Sequence, residues 1–216
     1  MHENCRLLFE QYAREHFTPG KRILEIGPEA EESAFKKLVG WESLLWETVD
    51  IRLTGHRLTH LAPNEYSFPI PDNCYDIVLS ANVLEHVRKI WVWIREVARV
   101  CKGGGLVITI NPVSWPYHEA PYDCWRAYPE GMRALYEDAG LSVIHSVFDS
   151  LESPGYKRYL PGRSMERLSW KGRAAYRVLG VLGMPVERSY DTITIGEKKP
   201  PGFEKGKATS GIAGSA

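Results

Sequence analysis

Residues 69–87 read PIPDNCYDIVLSANVLEHV, and two changes of pattern inside them decide the architecture. Pro69, Pro71, Asp72 and Asn73 form a turn-prone segment. Tyr75–Ser80 then reads as a buried strand, apolar along most of its length. Beyond it, Val87, Ile90, Trp91, Ile94, Val97, Ala98 and Cys101 recur at helical spacing, so the sequence predicts one amphipathic helix from Glu85 to Lys102. A turn, a buried strand and a helix make up the repeating unit of a parallel α/β sheet.

The same unit recurs on both sides. Upstream, KRILEIG is a short apolar run closing on Gly27, followed by the helix-like EAEESAFKKLVG; ESLLWETVDI reads as a second strand ending on an acid, and a weaker third lies near Arg57–Leu61. Before these, NCRLLFEQYAREHF has helical spacing at Leu8, Tyr12 and His16, with Asn4 as a candidate cap. Downstream, Gly103–Gly105 end the long helix and LVITIN forms a strand. Residues 129–140 form a helix with Pro129 at its first position and Gly140 past its end. LSVIHSVFDS and SYDTITIGEK close the series as strands. Ligands of such sheets sit at the carboxyl ends of the strands near the switch point, which directs attention to the loops after Ile26, Asp50, Ser80 and Asn111.

Composition is that of an ordinary globular chain. Of 216 residues, 44% are hydrophobic and 25% charged. Lys+Arg and Asp+Glu balance at 27 each, so no basic field points to nucleic acid, and no nucleic-acid partner is expected. Cys5, Cys74, Cys101 and Cys124 form no CxxC pair. With no signal peptide in MHENCRLLFEQY they read as reduced thiols of a cytoplasmic protein. Cys101 is expected on the apolar face of the long helix. No apolar run approaches the roughly 20 residues of a membrane span.

Glu25 and Gly27 close the first strand, and a glycine there lets the backbone approach a ligand. Asp50 ends the second strand 23 positions after Gly27, near the spacing of a carboxylate that binds ribose hydroxyls. A strand-terminal acid is equally common as plain structure. The nicotinamide fingerprint GxGxxG is absent after its first glycine, which disfavours a dehydrogenase.

In order and spacing, the segments Tyr75–Ser80 and Val83–Val87, CKGGGLVITINP, and PYDCWRAYPEG leading to the helix that ends AGL resemble the type 11 group of class I S-adenosylmethionine-dependent methyltransferases. The resemblance covers about residues 20–150, with TITIGEK as an edge strand. It implies a Rossmann-like, doubly wound, mostly parallel seven-stranded sheet with an antiparallel last strand and helices on both faces, in a single domain over 1–202. Glu25 and Gly27 would then lie beside the amino-acid part of S-adenosylmethionine, with Pro28 next to them. Asp50 and Ile51 would meet the ribose, Asn64, Glu65 and Tyr66 the adenine, and Ser80, Ala81 and Asn82 the methionine side. Asp76 reads as structural, fixing the strand entrance.

The chain departs from that family at the turn, where Gly27–Pro28–Glu29–Ala30–Glu31 puts Glu29 and Glu31 in the places of further glycines. Two acids suit a helix N-terminus but would repel the cofactor's carboxylate. The competing reading is therefore a catalytically weak or inactive domain that binds cofactor or a partner.

Methyl transfer requires alignment of the acceptor and exclusion of water, and an oxygen acceptor also needs a base in reach. The loop NPVSWPYHEAPYDCWRAYPEG offers His118 as the first candidate base and Asp123 as the second, with Tyr117 and Arg126 to orient a small-molecule or glycan-like acceptor. Trp125 and Arg126 equally suit a purely structural role pinning the loop. His86 reads as a capping or cofactor-proximal group. His56 and His60 have i,i+4 spacing but lack a third ligand, so no metal site is expected.

Residues 151–189 read as an inserted, basic helical segment. Between 157 and 188 it carries Lys157, Arg158, Arg163, Arg167, Lys171, Arg173, Arg177 and Arg188 against Glu166 and Glu187, with apolar residues interleaved. Such a segment is usually a solvated face over a packed one, but it also suits an anionic membrane or a phosphorylated substrate. Residues 203–216 read as a disordered tail. Nothing in the sequence specifies an oligomeric state.

Overall fold

A computed structural model describes residues 2–30, 32–41, 43–52, 57–118, 121–152, 157–158, 166–167, 169–183 and 189–200. Seven strands form one sheet: β1 (Arg22–Ile26), β2 (Leu45–Asp50), β3 (His60–Leu61), β4 (Tyr75–Ala81), β5 (Cys101–Pro112), β6 (Leu141–Asp149) and β7 (Asp191–Lys198). Their order is β3-β2-β1-β4-β5-β7-β6. The ladders from β3 through β5 are parallel, and β7 runs antiparallel to both β5 and β6. This is the doubly wound, Rossmann-like architecture expected, with one correction. TITIGEK is not an edge strand, because β7 inserts between β5 and β6. Its apolar Ile193 and Ile195 are both buried, as a central position requires.

Side chains alternate between two cores. Leu24, Ile26, Val78 and Val107 face a layer built by α3 (Ile90–Val100) and α4 (Pro129–Asp138). Ile23, Ile77, Leu79, Ile108 and Ile110 face the opposite layer, built by α1 (Glu3–Leu8) with its continuation and by α2 (Ala34–Val39). Gly196 of β7 lies directly under Tyr136 of α4, where a Cβ would come within 2.5 Å of the ring. The close approach lets the buried Tyr136 hydroxyl donate to Thr109 Oγ1 at 2.9 Å.

The helix expected over Glu85–Lys102 is broken. A 3-10 turn spans Leu84–His86, Val87 is extended with φ −92° and ψ 120°, and α3 starts only at Ile90. The Val87 carbonyl instead accepts from the Trp125 indole at 2.8 Å, a bond that a continuous helix would preclude. At its other end α3 stops at Val100, so Cys101 and Gly103–Gly105 belong to β5 rather than to the helix end. Cys101 is buried as expected, and burial pushes its thiol up to about 12.

Two further expectations are revised. EAEESAFKKLVG is helical only from Ala34, where Ser33 caps by accepting from Phe35 N–H and Lys36 N–H. The N-terminal helix gives way to a π turn (Phe9–Ala13) and a 3-10 turn (Arg14–His16). Asn4 lies inside that helix, not at its cap. Its buried side chain donates to Asp191 Oδ2 at 2.6 Å and accepts from Leu151 N–H at 2.8 Å, joining α1 to β7 and the end of β6.

Of the insertion, a two-residue hairpin (Lys157–Arg158 with Glu166–Arg167) and α5 (Trp170–Val181) are described; residues 203–216, Glu31 and His56 lie outside the described residues. No helix among the described residues is long and apolar enough to cross a membrane.

Candidate active site

The carboxyl ends of β1, β2 and β4 converge where the sheet order reverses direction. The chain leaves β1 through Gly27, whose φ of +69° is left-handed and whose missing Cβ would meet Val83 Cγ2 at 2.5 Å. Gly27 N–H donates to Val49 O at 2.9 Å, which ties the turn to β2. Between this turn and the loop after β4 lies a cleft of about 210 Å³ with apolar walls from Ile26, Val49, Phe68, Val83 and Trp93. Asp50, Ile51, Glu65, Asn82 and His86 also line it.

Asp50 holds its place through a local turn. Its Oδ1 accepts from Ile51 N–H at 2.6 Å and Arg52 N–H at 3.2 Å, and Oδ2 has no partner among the described residues. Asn64 Oδ1 accepts from Tyr66 N–H at 2.8 Å, and the Tyr66 hydroxyl accepts from Lys89 N–H at 3.3 Å. Those bonds make Asn64 and Tyr66 the frame of the loop, and Glu65 is the member of the trio on the cleft wall.

Glu25 is buried behind the turn and accepts from the Trp46 indole at 2.8 Å. Burial pushes its carboxyl above the ordinary range, against the hydrogen bonds from Ser33 and Trp46. It fastens β1 to β2 and to the start of α2. With Gly27, Glu29, Ala81 and Asn82 it lines a second, smaller cleft of about 70 Å³. Pro28 is buried beside it. Ser80 is buried with its hydroxyl unpartnered among the described residues. Asn82 has a left-handed φ of 55°, and its Oδ1 is bonded to His2 Nε2 at 3.0 Å.

Asn82 also lines a third cleft of about 250 Å³, together with Glu29, Glu85, His86, Trp115 and His118. The loop after β5 builds its outer wall. Asp123, whose side chain is 1% exposed, accepts from Arg126 Nη2 at 2.6 Å and from His118 N–H at 2.8 Å. Burial alone would raise its carboxyl, but these donors outweigh burial and hold it below the usual range. Arg126 also donates to the carbonyls of Trp115 and Pro116 at 3.3 Å, which folds the loop back on itself. Asp123 Oδ2 lies 3.4 Å from His118 Nδ1. Asp123 is thus the group that orients His118, and its low proton affinity argues against its acting as a base. Tyr117 is exposed. His60, the other half of the histidine pair noted in the sequence, instead bonds Glu47 at 2.9 Å and the Tyr75 hydroxyl at 3.1 Å.

Glu85 is the site residue that sequence reasoning passed over. Read as the first residue of a long helix, it looks like an ordinary N-terminal acid. The 3-10 turn instead buries it at 1% exposure, with neither carboxyl oxygen hydrogen-bonded to another described residue. Burial pushes its carboxyl up to about 8, against its own backbone N–H and the pull of the Arg126 guanidinium. His86 Nδ1 meets Tyr122 O at 2.5 Å, and burial lowers this imidazole despite that carbonyl.

Comparison with known proteins agrees with this fold. The family model described as a methyltransferase domain matches residues 47–109, which contain Asp50 and the whole of β4 and its loop. An uncharacterized methyltransferase of Mycobacteroides abscessus is 44% identical over 52 residues, 24% of this chain. The match spans only 20% of that relative's length. Among solved structures, a SAM-dependent methyltransferase of Archaeoglobus fulgidus superposes with a TM-score of 0.58 at 16% identity, covering 90% of this chain and 94% of its own. A phosphoethanolamine N-methyltransferase of Haemonchus contortus, solved with phosphomonomethylethanolamine and S-adenosylhomocysteine, gives 0.55 at 12% identity over 91% of this chain and 52% of its own. The fold is that of class I methyltransferases, and the type 11 resemblance read from the sequence holds.

Proposed function

We propose that the chain is an S-adenosylmethionine-dependent methyltransferase acting on the hydroxyl of a small-molecule or glycan-like acceptor. One arrangement supports this most: the cleft between Gly27 and Asp50 shares Asn82 and His86 as wall residues with the cleft bounded by Trp115 and His118. The first has the chemistry for an adenosine. Its apolar walls suit a purine, and the unshared Asp50 oxygen at the end of β2 suits ribose hydroxyls. The smaller cleft beside Glu29 and the unpartnered Ser80 hydroxyl suit the polar amino-acid tail.

When bound, the cofactor supplies a methyl carbon already activated by a sulfonium leaving group. The chain's task is to align the acceptor oxygen with that carbon and keep water out. Trp115, stacked on His2 with ring centroids 4.7 Å apart, and His118, fixed by Asp123, form the acceptor wall. A hydroxyl must also shed its proton, and Glu85, His86 and His118 are among the ionisable groups lining this cleft, with His2 and Glu29, that can assist.

Calorimetry with S-adenosylmethionine tests the reading. Saturable binding that weakens in Asp50→Ala is expected, and absence of binding up to millimolar cofactor overturns it. That second result would favour a non-catalytic, partner-binding domain, the reading that Glu29 at a usual glycine position of the turn keeps open.

Helix α5 supports a peripheral partner. Trp170, Val178, Val181 and Leu182 are exposed on or beside it, and Lys171, Arg173 and Arg177 are the charged residues of the helix. Apolar anchors among cations suit an anionic membrane or a phosphorylated acceptor. Co-sedimentation with anionic liposomes at low salt is expected, and its absence removes the membrane version.

A further inference from the structure

The third cleft holds three groups that the methyl-transfer reading uses only as alternative proton acceptors, and their mutual arrangement is more particular than that role requires. Glu85 presents a carboxyl group that is almost wholly buried, with neither oxygen hydrogen-bonded to another described residue. Burying a carboxylate without a partner is costly, and cation ligation is one of the standard ways to offset it. The side chain has little freedom to escape. It sits in a 3-10 turn whose backbone is pinned by Cys124 N–H donating to Glu85 O at 2.7 Å.

Two imidazoles flank that carboxylate. His86 Nε2 lies 3.8 Å from Glu85 Oε1, and the His86 and His118 rings meet edge-on with centroids 5.1 Å apart. One ligand atom from each of Glu85, His86 and His118 lies within 4.8 Å of the others. The outer nitrogens are already engaged. His86 Nδ1 is hydrogen-bonded to Tyr122 O. His118 Nδ1 lies 3.2 Å from Pro116 O and 3.4 Å from Asp123 Oδ2. An acceptor opposite Nδ1 places the proton there and leaves the Nε2 lone pair free, which is how metal-bound histidines are held. Asp123, kept ionised by Arg126, supplies the carboxylate behind His118 in that pattern.

We propose that Glu85, His86 and His118 form a divalent metal site, taking a first-row ion such as Zn²⁺, Fe²⁺, Co²⁺ or Mn²⁺ on two imidazole nitrogens and one carboxylate. Two nitrogens and one oxygen favour these ions over Mg²⁺, which prefers oxygen ligands and retained waters. Ligands at about 2.1 Å from one ion sit roughly 3–3.5 Å apart, so loading draws the three side chains together by about 1 Å. His118, half-buried on the loop after β5 rather than in a strand or helix, is the member best placed to make that adjustment.

Three protein ligands leave open positions on the side of the cleft lined by Trp115 and Asn82. The role of the ion there rests on the methyl-transfer reading. An acceptor hydroxyl bound at an open position ionises more readily. Its proton passes to solvent, and its oxygen forms the new C–O bond as the C–S bond breaks.

The test is titration of the full chain, stripped with chelator, with Co²⁺. Calorimetry reports stoichiometry, and the visible d–d bands report nitrogen ligation. One Co²⁺ per chain is expected, with affinity reduced at least about tenfold in Glu85→Gln and in His118→Asn. Glu85→Gln is nearly isosteric, and His118 is outside the core, so at least one variant folds. S-adenosylhomocysteine binding, measured on the same samples, should be unchanged in both. No stoichiometric Co²⁺ binding up to about millimolar, or binding that both variants leave intact, overturns the proposal. Co²⁺ binding without S-adenosylhomocysteine binding keeps the site and overturns the methyl-transfer reading instead.

Discussion

A Cβ on Gly27 would lie 2.5 Å from Cγ2 of Val83, so the turn after β1 and the loop after β4 close on each other with no room for a methyl group. The two segments flank the cleft lined by Gly27, Asp50 and Val83, and their contact couples its two walls. Gly27→Ala adds this clash to the strain of an L-residue at φ +69°, and a loss of about 1–3 kcal/mol is expected in urea denaturation. Val83→Ala in the same chain relieves the clash and leaves the strain. The double variant should therefore lose less than the sum of the singles; strict additivity would show that the two walls are independent.

Asp50 supplies the second prediction. Its Oδ1 is spent on the local turn, so under the proposed function Oδ2 is the oxygen left for the cofactor. Hydrogen bonds to a charged group contribute about 1.5–3 kcal/mol, which corresponds to roughly ten- to hundredfold in affinity. Asp50→Asn keeps the shape and removes the charge. Its affinity for S-adenosylhomocysteine should fall within that range while its urea midpoint stays near the wild-type value. Unchanged affinity would remove Asp50 from the ribose site.

The sheet was legible because strands buried on both faces must be mostly apolar, as ILEI and DIVLS are, and turn residues mark their ends. The break after His86 was not. Val87, Ile90 and Ile94 satisfy helical spacing, and the bond that competes with the helix comes from Trp125, far along the chain. The role of Asp123 was hidden for a similar reason. Spacing cannot distinguish a carboxylate open to substrate from one already committed to Arg126. Glu85 suffered most, since its burial follows directly from the broken helix.

Two carboxylates should drive the pH dependence of stability in opposite directions. Asp76, the structural acid of the strand entrance, accepts from Arg22 N–H and Lys102 Nζ, both at 2.8 Å. Burial alone would raise its carboxyl, but these donors hold it below the ordinary range. Its contribution is complete above the unfolded value, about 3.9, and is lost as pH falls through the lower folded one. Burial instead raises Glu25. Its contribution is complete below the unfolded value, about 4.3, and is lost as pH rises through the folded one. In urea titrations, the advantage of wild type over Asp76→Asn should shrink on acidification below about pH 4. Glu25→Gln should gain on wild type as pH rises from about 4 to 7. Gaps that stay constant with pH would refute both assignments.

The loop after β5 gives the last prediction. Asp123 and Arg126 form a two-point pair with the carboxylate almost wholly buried, and Arg126 also holds the carbonyls of Trp115 and Pro116. Removing one partner of a buried pair strands the other's charge and costs about 3–5 kcal/mol. The quarter-exposed guanidinium places Asp123→Asn nearer the low end, because water can reach the cation left behind. Arg126→Gln strands the buried carboxylate and should cost more. The double variant strands neither charge. It should therefore be more stable than the sum of the singles implies, by about 1–3 kcal/mol in a urea double-mutant cycle. Zero coupling would mean that the pair does not hold the loop, and that His118 is positioned by its backbone alone.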